Sequence, residues 1–263
     1  DKAKLEQLVH YEVEQNVPFP IDEIVSDHQF LGTAPDGDMA AMIVAAKLDG
    51  VRAVTDAVAA EAIELGAELI ITHHPLLFEP LRSICDTEPV ERRALTLIEN
   101  GVALVSMHTN LDIAAGGVND VLICLLGAEP EAALDADGCG RIGTLPEVVR
   151  FDVFLDRCRD RLQVNGLRYY DAGRAVKRLA VMGGSGGGSL EEAVAKGCDT
   201  YVTADLKYHQ FLRAQELGLN LIDADHFCTE NPVTPALADR LSRDFPEVDF
   251  LVSKRHGPVI RFG

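Results

Sequence analysis

The chain has 263 residues, enough for one large domain or two smaller ones, and 47% of them are hydrophobic, as in ordinary globular proteins. Its formal net charge is −18, from 42 acidic and 24 basic residues, which argues against a surface that binds nucleic acid or an anionic membrane. No apolar run approaches the roughly 20 residues that a membrane-spanning helix needs, and the cysteines form no CxxC motif, so we expect a soluble, cytoplasmic protein.

The order helix, strand, helix, strand occurs twice along the chain. Residues 61–72 end a helix at Gly66 and continue into an apolar strand, and residues 192–203 repeat this pattern. After a further helix, each unit has a second strand that begins at a glycine, Gly101 or Gly218. This alternation predicts an α/β fold of two related lobes with mixed, mainly parallel sheets. Because the repeated segments are short, chance similarity between two generic βα units is the alternative explanation.

The segment between the two units has a different pattern of apolar and polar residues. Its pattern predicts a linker at 127–137, strands at 139–145 and 148–154, a charged helix at 155–162 and a strand at 167–170.

A glycine-rich stretch, Gly183 to Ser189, follows an apolar strand and precedes a helix. It is typical of a tight turn, or of backbone N–H groups that hold an anion. We divide the chain into a first lobe, 1–126 plus 220–263, with most candidate metal ligands, and a second lobe, 127–219, with the glycine-rich turn.

Polar side chains follow the strands of both units, where open α/β sheets bind their ligands. These residues are His73 and His74, then His108 and Asp112, then Asp205 and His209, and finally Asp225, His226 and Glu230. Adjacent side chains on an extended chain point apart, so His73 and His74 favour two neighbouring metal ions with one imidazole each. The alternative is a pair of surface histidines at a strand end.

His226 and Glu230 are four residues apart, which would stack them on one face of a helix. The pair could ligate one ion, or the carboxylate could bridge two, although the same segment also resembles a helix N-terminus followed by a turn. Asp112 is a second candidate bridge. His108 could contact a substrate or support a ligand.

Five motifs stand in a fixed order along the chain. They are Thr72-His73-His74-Pro75, His108-Thr109-Asn110-Leu111-Asp112 with Gly116-Gly117-Val118-Asn119-Asp120, Gly183-Gly184-Ser185-Gly186-Gly187, Asp205-Leu206-Lys207-Tyr208-His209, and His226-Phe227-Cys228-Thr229-Glu230. In this order they resemble the Nif-three-like family, whose members are widely named GTP cyclohydrolase I type 2 homologs. The match runs from about Ile43 to the end of the sequence.

The resemblance implies a short-form subunit without the domain that longer members insert between their halves. It implies a metal cleft between the two lobes that holds two divalent ions, and a toroidal homohexamer. The implied metal ligands are His73, His74, Asp112, His226 and Glu230. Three imidazoles and two carboxylates suit Zn, Fe, Mn or Ni and do not choose among them.

One departure from the family lies near the N-terminus. The usual Asp-Asn-x-Gly-Leu motif is replaced by a segment in which His28 follows Asp27, so His28 could add a ligand and a substrate role of this segment is in doubt.

Two adjacent metal ions lower the pKa of water, as in many hydrolases. We therefore expect a dinuclear-metal hydrolase that acts on a small molecule, with His108 or His209 assisting proton transfer. The family name implies ring opening of GTP, which no nucleotide-binding motif in this chain supports independently. The alternative is a non-enzymatic role: metal storage or delivery, a metal-organised hexameric scaffold for protein partners, or a structural centre that holds the lobes together.

Overall fold

The computed structural model describes residues 24–33, 39–78, 81 and 83–261. Within these ranges the strands are β1 (Ile24–Thr33), β2 (Met39–Lys47), β3 (Leu69–Thr72), β4 (Ala103–Ser106), β5 (Glu129–Ala133), β6 (Arg141–Val149), β7 (Arg168–Tyr170), β8 (Val176–Ser185), β9 (Thr200–Ala204) and β10 (Asn220–Asp223). The helices are α1 (Leu48–Glu64), α2 (Pro89–Glu99), α3 (Thr109–Ile113), α4 (Val118–Leu125), α5 (Phe151–Leu162), α6 (Leu190–Ala195), α7 (Tyr208–Leu217), α8 (His226–Glu230) and α9 (Val233–Asp244).

A six-stranded sheet with the order β5-β6-β8-β9-β10-β7 forms the centre of the described structure. Strands β8, β9 and β10 run parallel, and the flanking strands pair antiparallel with them or with each other. Side chains alternate between the two faces, as the pleat requires. In β8, Leu179 and Val181 pack with α4 and α5, whereas Ala180 packs with α6 and α7 on the opposite face. Helices therefore cover both faces, which leaves the strand ends to carry polar groups.

The predicted repeat is present in the structure. Strand β3, helix α2 and strand β4 form one parallel unit, and β9, α7 and β10 form the other. The registers correspond, since Thr72 pairs with Ser106 and Thr203 pairs with Asp223. In each unit a five-residue helix, α3 or α8, begins three residues after the second strand ends. The repeat thus extends to the two short helices that carry Asp112 and Glu230.

The prediction of an α/β fold with mixed sheets is confirmed. Within the described sheets, three strand pairings are parallel and four are antiparallel, so parallel pairing is less dominant than the sequence predicted. The short connections around β5, β6 and β1–β2 favour antiparallel neighbours, since a parallel pair needs a longer crossover.

The segment between the repeats differs from its prediction in two places. The strands expected at 139–145 and 148–154 form one strand, β6, followed directly by α5. Residues 151, 154, 155, 158 and 162 are buried at helical spacing, and this apolar stripe outweighs the partial alternation of the sequence. The expected linker at 127–137 contains strand β5, which pairs with β6.

The division into lobes stays a prediction, although the sheet crosses the boundary proposed after residue 219. Strand β10 pairs with β9 on one side and with β7 on the other, because it closes the parallel unit that β9 begins. The atypical N-terminal segment lies in β1, where Asp27 is opposite Val44 and His28 is opposite Ile43. The additional ligand role suggested for His28 stays a prediction. No helix in the described ranges has the length and apolarity needed to cross a membrane.

Candidate metal centre

The five predicted ligands meet at the ends of strands from both repeats. His73 and His74 directly follow β3, Asp112 lies on α3, and His226 and Glu230 lie at the two ends of α8. Helix α8 packs against β8, β9 and α4, and α4 in turn contacts α3. Two short helices and one strand end therefore bring residues 157 positions apart, from 73 to 230, into one cluster.

The carboxylate of Glu230 contacts all three candidate imidazoles. Its Oε1 atom lies 3.0 Å from Nε2 of His226 and 3.5 Å from Nε2 of His73, and its Oε2 atom lies 3.3 Å from Nε2 of His74. Nε2 of His74 is also 3.3 Å from Nε2 of His226. Glu230 is thus the hub of the cluster, and its two oxygens point to different histidines.

Two buried polar atoms of the cluster have no hydrogen-bond partner among the residues that the structure describes. They are Nε2 of His73 and Oδ1 of Asp112, which lie 3.6 Å apart. Unpartnered buried polar atoms are rare and unfavourable in native proteins, and a bound ion is one recognised explanation. Two ligands about 2.0–2.1 Å from one tetrahedral ion lie roughly 3.3–3.4 Å apart. The distances in this cluster, 3.0–3.6 Å, match that spacing.

The outer nitrogens of two imidazoles are held by hydrogen bonds. Nδ1 of His73 donates to the backbone carbonyl of Met107 at 2.9 Å, and Nδ1 of His226 lies 2.6 Å from Oδ2 of Asp205. A proton on Nδ1 leaves the lone pair of Nε2 directed into the cluster, which is how a histidine is prepared to ligate a metal.

The charges within the cluster are strongly coupled. Burial favours a higher pKa for Glu230, but its close contacts with the imidazoles of His226 and His73 lower it to about 2. Burial favours a lower pKa for His226, but Asp205 and Glu230 raise it to about 10. Burial and the neighbouring imidazoles lower the pKa of His74 to about 4, against the pull of Glu230. Glu230 is therefore a carboxylate and His74 a neutral imidazole at neutral pH, both forms that bind cations.

The sequence matches the model of the family DUF34/NIF3 (NGG1p interacting factor 3) over residues 44–258. The chain belongs to the DUF34/NIF3 family. One relative is the GTP cyclohydrolase 1 type 2 homolog of Clostridium perfringens, which is 35% identical over 208 residues covering 76% of this chain and 79% of that protein. Another is the Streptomyces coelicolor protein of the same name, 32% identical over 239 residues covering 86% of this chain and 79% of that protein.

Solved structures show the same DUF34/NIF3 fold. A Bacillus cereus protein related to NIF3 has a TM-score of 0.70 and 24% identity, over 78% of this chain and 86% of that chain. Reduced HcgD from Methanocaldococcus jannaschii has a TM-score of 0.62 and 32% identity, over 73% of this chain and 76% of that chain. The family resemblance predicted from the five motifs is confirmed.

The two predicted proton-transfer residues of this DUF34/NIF3 protein lie in different surroundings. The ring of His108 lies 5.1 Å from that of His73 and 5.2 Å from that of His74, and a ring nitrogen of each of the three lies within 4.8 Å of the others. His108 thus adjoins the cluster, and its role in proton transfer stays a prediction. His209 is exposed on the first turn of α7, and no hydrogen bond or ion pair joins it to the cluster in the described part of the chain.

The glycine-rich segment has a role that sequence reasoning missed. Strand β8 runs through it to Ser185, and Gly184 adopts a left-handed φ of +64° against the cluster. A Cβ on Gly184 would lie 2.3 Å from Oε1 of Glu230 and 3.0 Å from Nε2 of His226. The glycine therefore lets the backbone approach the hub carboxylate, and its N–H is held by the Thr229 hydroxyl at 3.0 Å. The only sequence signal was the paired glycine at the end of an apolar strand.

Asp205 was noted only as a polar group at a strand end. Its carboxylate contacts the outer nitrogen of His226, and its φ of +55° belongs to a region that few residues other than glycine adopt. The sequence offered an acidic residue after a strand but could not show which histidine it would meet.

Proposed function

We propose that this protein is a hydrolase that depends on two divalent metal ions. The observation that carries the proposal is the hub carboxylate of Glu230, in contact with three imidazoles, beside two buried and unpartnered ligand atoms on His73 and Asp112. A nitrogen and oxygen donor set of this kind fits Zn, Fe, Mn or Ni.

Two positions follow from the contacts. The His73 position consists of His73 and Asp112, and the His226 position consists of His74 and His226; Glu230 is shared by both. A pair of divalent ions in these positions would supply Lewis acidity and lower the pKa of water. The protein contributes fixed imidazole orientations and two carboxylates that offset the positive charge.

His108 is the residue best placed to accept or donate a proton during the reaction. Its ring adjoins those of His73 and His74, and it also meets the ring of Phe78 edge-on, with 5.8 Å between the ring centres. Phe78 is 70% exposed, so we place the mouth of the cluster, where a small-molecule substrate would arrive, beside the contact between Phe78 and His108.

GTP is the first substrate to test, because relatives at 31–36% identity carry the name GTP cyclohydrolase 1 type 2 homolog. One relative, from Helicobacter pylori, is named GTP cyclohydrolase 1 type 2 and is 32% identical over 177 residues. The motif resemblance also leads us to propose a toroidal homohexamer.

The test is turnover by protein loaded with each candidate metal, on a panel of nucleotides, phosphate esters and amides. We expect saturable hydrolysis of at least one class, which His108→Gln lowers by about 10²–10⁴-fold, as the loss of a general acid–base group does, without loss of metal. His209→Gln is the matched control and should have less effect, since His209 is exposed and, within the described residues, forms no hydrogen bond or ion pair with the cluster. No turnover with both positions occupied would rule out the hydrolase.

Metal storage or delivery is a second candidate, favoured by the exposure of one ligand. The side chain of His74 is 47% exposed, so an ion in the His226 position would be open to exchange with solvent. A delivery protein should transfer metal to a competing chelator within minutes and show no saturable turnover.

A further inference from the structure

The two positions differ in the group that forms a hydrogen bond with the outer ring nitrogen, Nδ1, of His73 or of His226. Nδ1 of His73 meets a neutral backbone carbonyl, that of Met107, whereas Nδ1 of His226 meets the charged carboxylate of Asp205 at 2.6 Å. Hydrogen bonds to an ionised partner are roughly twice as strong as neutral ones, and an outer carboxylate raises the basicity of a ligating imidazole. The difference is built into the fold, because the partner of His73 is backbone and the partner of His226 is a side chain.

Asp205 is held in this place by a network of its own. Its φ of +55° is a conformation that aspartate tolerates better than most residues but that still needs support from its surroundings. The next residue, Leu206, is buried, and its N–H donates to Asp223 at 3.0 Å while its carbonyl accepts from Arg168 at 2.6 Å. Arg168 and Asp223 also pair with each other. The turn that presents Asp205 to His226 is therefore anchored through both backbone polar groups of Leu206.

We propose that Asp205 is a positioning residue that strengthens metal binding in the His226 position and leaves the His73 position unaffected. The inference rests on the proposed dinuclear centre. The two positions are then chemically unequal. The carboxylate of Asp205 fixes the ring of His226 and raises its donor strength, whereas the outer nitrogen of His73 meets the uncharged carbonyl of Met107.

The test is titration of the metal-free protein with Co²⁺, followed by visible absorption and by competition with a chromogenic chelator. Asp205→Asn keeps a hydrogen-bond acceptor and a residue that tolerates positive φ, but removes the charge. It should weaken one Co²⁺ site by about 10–100-fold, the usual effect of losing an outer-shell partner, and leave the other unchanged. Asp205→Ala should weaken the same site at least as much. Asp205→Glu, which keeps the charge, should retain most of the affinity.

Two further variants identify the affected site. Asp160→Asn removes the same charge from an exposed position on α5 and should change neither affinity. In an Asp112→Ala background, which removes a ligand of the His73 position, the remaining Co²⁺ site should be the one that responds to Asp205.

The inference would be overturned if Asp205→Asn left both affinities unchanged or weakened both equally while the metal-free variant kept its melting temperature. If Asp205→Asn failed to fold, Asp205→Glu would decide: wild-type affinity at both sites supports the role of the charge, and equal loss at both overturns it. A wild-type protein that binds fewer than two Co²⁺ ions per chain would instead overturn the dinuclear centre itself.

Discussion

Replacing Gly184 with alanine would place a methyl group against the hub of the cluster. Its Cβ would lie 2.3 Å from Oε1 of Glu230, and ordinary contact begins near 3.4 Å, so the carboxylate must move by about 1 Å. The residue would also keep a φ of +64°, which disfavours alanine by about 1–2 kcal/mol. Both effects act on the same atoms, because the backbone cannot withdraw without losing its hydrogen bond to Thr229.

The expected result is a loss of metal out of proportion to the loss of stability. A strain of about 1–2 kcal/mol lowers the melting temperature of a protein of this size by only a few degrees. Displacement of a carboxylate shared by both positions should weaken both, by more than the roughly 10–100-fold seen for outer-shell changes. Metal titration and thermal unfolding of the metal-free protein measure the two effects separately.

Gly188→Ala is the matched control from the same glycine-rich segment. Among the described residues no atom would lie within 4 Å of a Cβ on Gly188, and the φ of Gly188 is not positive. This substitution should leave metal binding unchanged and be neutral or stabilising by about 0.4–1 kcal/mol. If Gly184→Ala bound two metals with wild-type affinity, the close approach of this backbone to Glu230 would be refuted.

Three further predictions follow from individual residues. Because the pKa of His226 is raised to about 10, the metal-free protein carries a proton on this imidazole at neutral pH, and a metal ion must displace it. Calorimetric titration with metal in buffers of different ionisation enthalpy should detect the released proton. A heat of binding that does not depend on the buffer would contradict this. Because the pKa of Glu230 is lowered from 4.5 to about 2, its contribution to the stability of the metal-free protein is present above pH 4.5 and is lost as the pH falls toward 2. Urea unfolding at a series of pH values should therefore show that the free energy of unfolding of Glu230→Gln falls less steeply in acid than that of the wild type. Equal dependence on pH in the two proteins would refute this. Asp199 is buried and accepts hydrogen bonds from the backbone N–H groups of Lys177 and Arg178. Asp199→Ala should therefore destabilise the protein by about 1–3 kcal/mol without loss of metal. An unchanged denaturation midpoint would argue against a stabilising role of these hydrogen bonds.

The repeat and most of the residues that meet in the candidate cluster were predictable from the sequence because their signals are local. The apolar runs of β3 and β9 end at polar residues, and helices and glycines at corresponding positions precede them. The four-residue spacing of His226 and Glu230 required only one turn of helix, and α8 provides it. In each parallel unit the strands then carry their ends, and the residues that follow them, to one edge of their own sheet.

What the sequence could not show depends on contacts between distant segments. The approach of Gly184 to Glu230 joins residues 46 positions apart, and the hydrogen bond from His226 to Asp205 depends on the register between β9 and β10. No local pattern specifies which carboxylate meets which imidazole. The first turn of the helix that begins at Phe151 was assigned to a strand for a related reason, since its apolar stripe became decisive only against the sheet on which it packs.

The central claim is a dinuclear metal centre, and the most direct test is the metal content of the protein. It should be purified without chelator or nickel affinity resin and analysed by elemental mass spectrometry beside His74→Ala, which removes one ligand of the His226 position. We predict about two metal ions per wild-type chain and a sharp fall in the variant. No metal in either protein, even after reconstitution with Zn, Fe, Mn and Ni, would contradict the account.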